Sequence, residues 1–315
     1  MIAPLLALCA VLAFPAAAQQ KLVSILGAGP EQSAVTVRDA VRDAMKAGGL
    51  AEGKGLRIQF ANAGAGDDAA RRGARKFVND RSDVIIAVGR TAARAAVEAT
   101  HLIPVIFVGV DDPVEAGLIP SMAPSGTNVA GVMGHLPAAR QIELIRQLVP
   151  GARRIGILYG LGQAESLRDI RQLQDAGAKT AAVILDVAVA RPVDVGSAAR
   201  SLINKVDVLF TLVDPVVARS FAAVVKVAND ARIPLVASDL EGAASGAMAS
   251  FFVSDRDLGL QSGRMALRIL RGVRPGGIAP EFVSRPQFIV NPAAAGKQGA
   301  TLSESALKAA TQVLR

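Results

Sequence analysis

Several short runs in this chain combine residue types that could do chemistry at the end of a strand. Gly27-Ala28-Gly29-Pro30-Glu31-Gln32 is glycine-rich. A dinucleotide-binding turn would place a third glycine at Gln32 and an acid at the close of the next strand, which instead ends Phe60-Ala61-Asn62. Asp111-Asp112 offers two carboxylates, but neighbours on a strand end point to opposite sides and do not share an acid–base task. Gly242-Ala243-Ala244-Ser245-Gly246 lacks the spacing of a nucleophile elbow, and no G-x-x-x-x-G-K-[ST] phosphate loop occurs. His101 precedes an Ile-Pro strand entry, and His135 lies in a crossover; neither has a second histidine at ligand spacing. No nucleophile–base pair emerges. No catalytic residue, cofactor or metal site is therefore predicted, and the chain is not expected to be an enzyme.

The same positions suit binding better. In Gly89-Arg90-Thr91-Ala92-Ala93 a strand gives way to a helix: Gly89 permits the turn, Thr91 is placed to cap, and free amides near Thr91 and Ala92 would receive an anionic group. Asp112 is held in a turn by Pro113 and could accept from an ammonium or another donor. In the second half of the chain, Tyr159, Ser166, Asp214 and Asp239 follow or close strands. With Thr91, Ala92 and Asp112 they form the predicted ligand-binding set.

Elements must bring these residues together. Short apolar runs alternate with longer amphipathic ones, the pattern of βαβ units. It predicts strands over 22–26, 56–61, 84–88, 105–110 and 129–133, then 154–159, 182–186, 208–213, 235–238 and 247–253, with a late strand over 282–290. Helices are predicted between them, including 32–47, 69–79, 91–99, 138–148, 165–176, 197–204, 216–229 and 256–271, with a last one over 304–314. The two sets repeat each other. Asp83-Val84 and then Ile103-Pro104-Val105 in the first set have counterparts in Asp207-Val208 and Ile233-Pro234-Leu235. Two facing lobes, each an open parallel sheet, would put their strand ends around one cleft.

Composition fits this picture. The 315 residues are 51% apolar, yet only 3% aromatic with no Trp and one Tyr, so the core must be built from Ala, Val, Ile and Leu as in covered parallel sheets. A net charge of +8 is scattered along helices without aromatic partners, which speaks against nucleic acid. Residues 1–14 are almost wholly apolar, and Ala16-Ala17-Ala18 before Gln19 reads as the cleavage site of a secretory signal spanning 1–18. The one cysteine, Cys9, falls inside it; Leu8 before it is bulkier than a lipidation site favours. A mature chain without cysteine has no disulfide and suits a bacterial periplasm.

Longer runs carry a resemblance. Ile85-Ile86-Ala87-Val88-Gly89-Arg90-Thr91-Ala92-Ala93, Asp112-Pro113-Val114-Glu115-Ala116-Gly117-Leu118, Asn128-Val129-Ala130-Gly131-Val132 and Pro150-Gly151-Ala152-Arg153-Arg154-Ile155-Gly156 are similar to segments of the ABC transporter substrate-binding family that includes tryptophan- and tyrosine-type binding proteins. The likeness covers nearly all of the chain after the signal. It implies a periplasmic-binding-protein type I fold: α/β, two doubly wound parallel-sheet lobes joined by a three-segment hinge. Lobe one would hold 19–133 and about 254–280, and lobe two 134–253 and about 281–315. It further implies a monomer that captures a small polar ligand by hinge closure and delivers it to an ABC permease in the inner membrane. Two departures, Gly160-Leu161 for the family's Asn-Pro and Gly29-Pro30 for its His-Pro, suggest a ligand of a different kind. An enzyme using Asp112 and Asp239, or a sensory module serving a receptor, stands as the alternative on residues alone.

Overall fold

A computed structural model describes residues 20–314; the expected signal segment lies outside them. The first part of the chain forms strands β1 (Lys21–Gly27), β2 (Ala51–Glu52), β3 (Gly55–Asn62), β4 (Val84–Val88), β5 (Val105–Val108) and β6 (Val129–Val132). They make one parallel sheet in the order β2-β3-β1-β4-β5-β6. Helices α1 (Glu31–Ala47), α2 (Asp67–Asn79) and α3 (Arg90–Ala99) connect them. β4 and β5 are buried along their whole length, which explains their unbroken apolar sequences.

After β6 the chain crosses to a second sheet. Here α4 (Ala138–Leu148), β7 (Arg154–Gly160), α5 (Ala164–Thr180), β8 (Val183–Val189), α6 (Val195–Ser201) and β9 (Val208–Thr211) are followed by α7 (Pro215–Ala218), α8 (Phe221–Ala231), β10 (Leu235–Ala237) and β11 (Ala249–Phe252). The chain returns to the first sheet as α9 (Asp255–Leu270), then crosses a third time to β12 (Gln287–Val290), α10 (Pro292–Lys297), α11 (Glu304–Ala309) and β13 (Gln312–Val313). The second sheet runs β13-β12-β11-β10-β9-β7-β8. α9 is held against α1 by Gly259 and Gly263, where an added Cβ would come within 2.5 Å of the Val37 carbonyl oxygen and 3.0 Å of that of Val41. Only residues without side chains allow the two backbones so close.

The structure departs from the predicted elements most clearly in three places, besides a late strand that begins only at Gln287 and the unpredicted β2 and α10. The second sheet is not wholly parallel, because β12 runs antiparallel to β11. It enters from the third crossing at the end where the other strands finish, so Gln287 pairs with Phe252, and it must run the opposite way. The helix predicted over 216–229 breaks at Ser220 into α7 and α8. The last helix stops at Ala309, and the residues beyond it add β13 to the sheet edge.

The repeat seen in the sequence has a physical counterpart. Asp83 Oδ2 accepts from the Leu22 amide at 2.8 Å at the start of β1, while Asp207 Oδ2 accepts from the Arg153 and Arg154 amides at 2.9 and 2.8 Å at the start of β7. In the same register, Pro104 and Pro234 carbonyls each receive an amide at 2.9 Å, from Ile85 and Leu209. The Arg154 guanidinium, 2.7 Å from Asp207 Oδ1, outweighs partial burial and, with those amides, holds the Asp207 carboxyl at about 2 against an ordinary 3.8. A depressed carboxyl stabilises the fold fully above its ordinary range and loses that contribution as pH falls from about 4 toward 2. Asp207→Asn is expected to lower stability by about 1–2 kcal/mol at neutral pH and to flatten this acid step, as followed by denaturant unfolding at several pH values.

Candidate functional site

The ends of β1, β4 and β5 in one sheet and of β9, β10 and β11 in the other border three adjoining cavities. The first, about 330 Å³, lies on the first sheet against Ala28, Gly29, Gly89, Gly109 and Asp111. It shares Asp111, Gly134 and Val253 with a second cavity of about 390 Å³, and Gly134 and Val253 belong to segments that cross between the sheets. The second shares Leu212, Val213, Asp239 and Leu240 with a third of about 450 Å³ on the second sheet. Together they form one channel from the tips of one sheet, past the crossing segments, to the tips of the other. Each has the volume of an ordinary small-molecule site.

Local sequence explains the walls. Gly89, at φ 86° and ψ 161°, turns β4 into α3 in a conformation nearly restricted to glycine, and its amide donates to the Val108 carbonyl at 2.9 Å. No side chain caps α3, so Thr91 does not play the capping role its position suggested; it sits one residue inside the helix. Thr91 instead borders a small surface hollow with Arg71, Arg90 and Arg94, and Ala92 is fully buried on the inner face of the helix.

The remaining predicted residues divide sharply. Asp112 Oδ1 accepts from the Val114 and Glu115 amides at 3.1 and 2.8 Å, capping its own turn, and the residue borders a further groove, with Asp175 and Lys179, that meets the second cavity at Asp111 and His135. Asp112 and Asp239 line different cavities and do not form an acid–base pair in one of them. Tyr159 packs half-buried against the core of the second sheet. Asp214 is 1% exposed, and both its oxygens are committed: Oδ2 to the Gly160 amide at 2.8 Å and the Ser166 hydroxyl at 2.7 Å, Oδ1 to the Val216 and Val217 amides at 2.8 and 3.0 Å. Burial opposes the Asp214 charge, but these bonds, that from Gly160 foremost, outweigh it and hold the carboxyl below its ordinary range. Asp214 and Ser166 thus shape the wall by joining β7, α5 and α7. Asp239 does line the channel; its Oδ1 accepts from the Glu241 and Gly242 amides at 2.9 and 2.7 Å.

Sequence reasoning passed over the residues that give the second cavity its character. Asp111, Glu165 and Asp169 face it beside the predicted Asp239, and its wall also carries the Arg168 guanidinium and the His135 imidazole. Arg168 Nη1 is drawn to Glu115 Oε2 at 2.6 Å, a pair that links α5 to the turn after β5. The cavity is therefore acidic although the chain as a whole is basic. Burial raises the Asp169 carboxyl above its ordinary range; neighbouring Asp111 adds to this and His135 counteracts it. One signal could have redirected the choice between the two strand-end acids: an aspartate followed by proline tends to cap its own turn, which leaves Asp111 to face the cleft.

Among the described residues, three buried side-chain atoms have no hydrogen-bond partner: His135 Nδ1, Gln141 Oε1 and Thr211 Oγ1. His135 Nδ1 lies 3.4 Å from Asp111 Oδ1 without the alignment of a hydrogen bond. All three residues line the second or third cavity. Folded proteins rarely leave such atoms orphaned, and their confinement to one channel marks it as built for a polar guest.

Comparison with known proteins agrees with this geometry. The model of the ABC transporter substrate binding protein family matches residues 27–314. The chain belongs to that family. A tyrosine-binding protein of Clostridioides difficile (strain R20291) is 33% identical over 243 residues, covering 77% of this chain and 70% of the relative. The ligand-free, open structure of a substrate binding protein with adhesive properties from Clostridium difficile is similar with a TM-score of 0.82 at 27% identity, over 93% of this chain and 99% of that one. An ABC domain from Streptococcus pneumonia in complex with L-Trp gives a TM-score of 0.64 at 26% identity, over 94% and 100%. This substrate-binding protein thus has the periplasmic-binding-protein type I fold, and its function is to bind a solute. The family implies a small-molecule ligand and a permease partner.

Proposed function

We propose that this substrate-binding protein captures an amino acid or a similar small zwitterion in the channel between its lobes. It does so as a monomer in the periplasm and passes the ligand to an inner-membrane permease. The observation that carries this reading is the channel itself, acidic at its middle and holding all three orphaned buried polar atoms of the described chain. A ligand ammonium would rest among Asp111, Asp169 and Asp239, while the uncapped start of α3, which Gly89 brings to the edge of the first cavity, would face its carboxylate. The names of the relatives, tyrosine-binding and in complex with L-Trp, support the ligand class. At nearly equal identity and coverage, the likeness is greater to the open, ligand-free relative than to the liganded one, which supports an open arrangement here. Contacts to both lobes form together only on closure, so the ligand shifts the equilibrium by its differential affinity for the closed state.

Isothermal calorimetry and thermal shift with the twenty L-amino acids, beside a set of sugars and dicarboxylates, test the reading. At least one amino acid should bind with micromolar or tighter affinity and reduce the radius of gyration in solution scattering. Sugar binding without amino-acid binding would sink it. The raised Asp169 carboxyl adds a pH dependence. An ammonium favours the ionised carboxylate, so binding expels the Asp169 proton and affinity falls on acidification, beginning at higher pH than for an ordinary carboxylate. Asp169→Asn should flatten that profile in calorimetry across pH.

A further inference from the structure

The third cavity carries a finer assignment, which rests on the amino-acid reading above. β9 alternates its faces: Leu209 and Thr211 turn toward the layer containing α6 and α8, while Val208 and Phe210 turn toward the other face of the sheet. Thr211 is therefore at the last β9 position on the α8 side, where the core gives way to the cavity walled by Val217, Ala218, Phe221 and Leu240. It is 2% exposed, and its Oγ1 has no partner in the protein. Of the other polar side chains on its wall, Glu241 and Ser245 are exposed at the rim, Asp214 has both oxygens bonded within the protein, and Asp239 Oδ1 caps the turn at Glu241 and Gly242. A threonine whose methyl alone was needed there could be a valine of the same shape, without an unsatisfied hydroxyl.

We propose that this apolar cavity is the side-chain subsite of the ligand and that Thr211 determines specificity. It would select an amino acid whose side chain is apolar along its body and ends in a group able to hydrogen-bond with the Thr211 hydroxyl. The apolar walls take the body of the side chain, and the orphaned hydroxyl rejects an analogue lacking the polar tip because it would stay buried without a partner.

L-Tyrosine and L-phenylalanine differ by one oxygen and make a suitable pair of probes. Calorimetry on the full chain and on its Thr211→Val and Thr211→Ser variants should show tyrosine preferred over phenylalanine by roughly 10- to 100-fold in the parent. Thr211→Val should bring that ratio near one by weakening tyrosine alone, and Thr211→Ser should keep most of it. Without ligand, Thr211→Val should melt no lower than the parent, since the hydroxyl it removes is unbonded; this separates a lost ligand contact from a damaged fold. Equal binding of the two probes by the parent, a ratio unchanged in Thr211→Val, or preference for an amino acid with a purely aliphatic or fully charged side chain overturns the subsite and leaves the amino-acid reading intact. Failure to bind any of the twenty amino acids overturns both.

Discussion

Replacing Asp214 by alanine is expected to lower the melting temperature by roughly 6–20 °C, the largest loss of any single substitution considered for this protein. The carboxylate is 1% exposed and receives four hydrogen bonds, from the Gly160, Val216 and Val217 amides and the Ser166 hydroxyl. Truncation leaves three buried donors and the half-buried Val216 amide facing a void, and breaking a buried charged network of this kind costs about 3–5 kcal/mol. Asp214→Asn should cost less, about 2 kcal/mol, because one carbonyl oxygen survives while the new amide meets the Gly160 N–H. Calorimetric scanning of both variants checks the order. If Asp214→Ala melts within a degree or two of the parent, the four-bond junction does not hold the second lobe together. Because the Asp214 carboxyl lies below its ordinary range, the stabilisation it provides is complete at neutral pH and is lost as acid titrates it below that range.

Gly89→Ala should be nearly as damaging and should also remove binding. At φ 86° and ψ 161° an alanine meets backbone strain of about 1–3 kcal/mol, and its Cβ would lie 2.9 Å from the Ala28 carbonyl oxygen. Relieving that contact displaces the loop after β1, which walls the first cavity. A total cost of about 2–4 kcal/mol and a loss of ligand affinity of at least roughly tenfold are expected. Gly162 provides the comparison. Its φ is also positive, at 84°, yet nothing lies within 4 Å of an added Cβ, so Gly162→Ala should cost about 1 kcal/mol and spare binding. Affinity measured by calorimetry on folded Gly89→Ala equal to that of the parent would separate the turn from the site.

The elements of this fold were largely legible in its sequence because their causes are local. Apolar runs such as Val84–Val88 are strands whatever surrounds them, and the matching Asp83 and Asp207, Pro104 and Pro234 mark equivalent strand starts in both halves. The antiparallel β12 was not legible, since its direction depends on where the third crossing enters the second sheet. The site was read less well. The loops that wall it were located from strand ends, but within them side-chain roles were exchanged: Asp112 caps its own turn while Asp111 faces the channel, and Asp214 and Ser166 spend their polar atoms on each other across 48 residues of chain.

From the sequence alone came the alternation of strands and helices, the twofold repeat, the likeness to substrate-binding proteins and the loops where a ligand would sit. Each of these follows from residues a few positions apart. Only the tertiary structure decided which acids remain free, that the cleft is acidic in a basic chain, and that the unpartnered atoms of His135, Gln141 and Thr211 gather along one channel. Whether a polar atom is satisfied depends on partners brought near by sheet order and crossing segments, and that is a property of distances through space rather than along the chain.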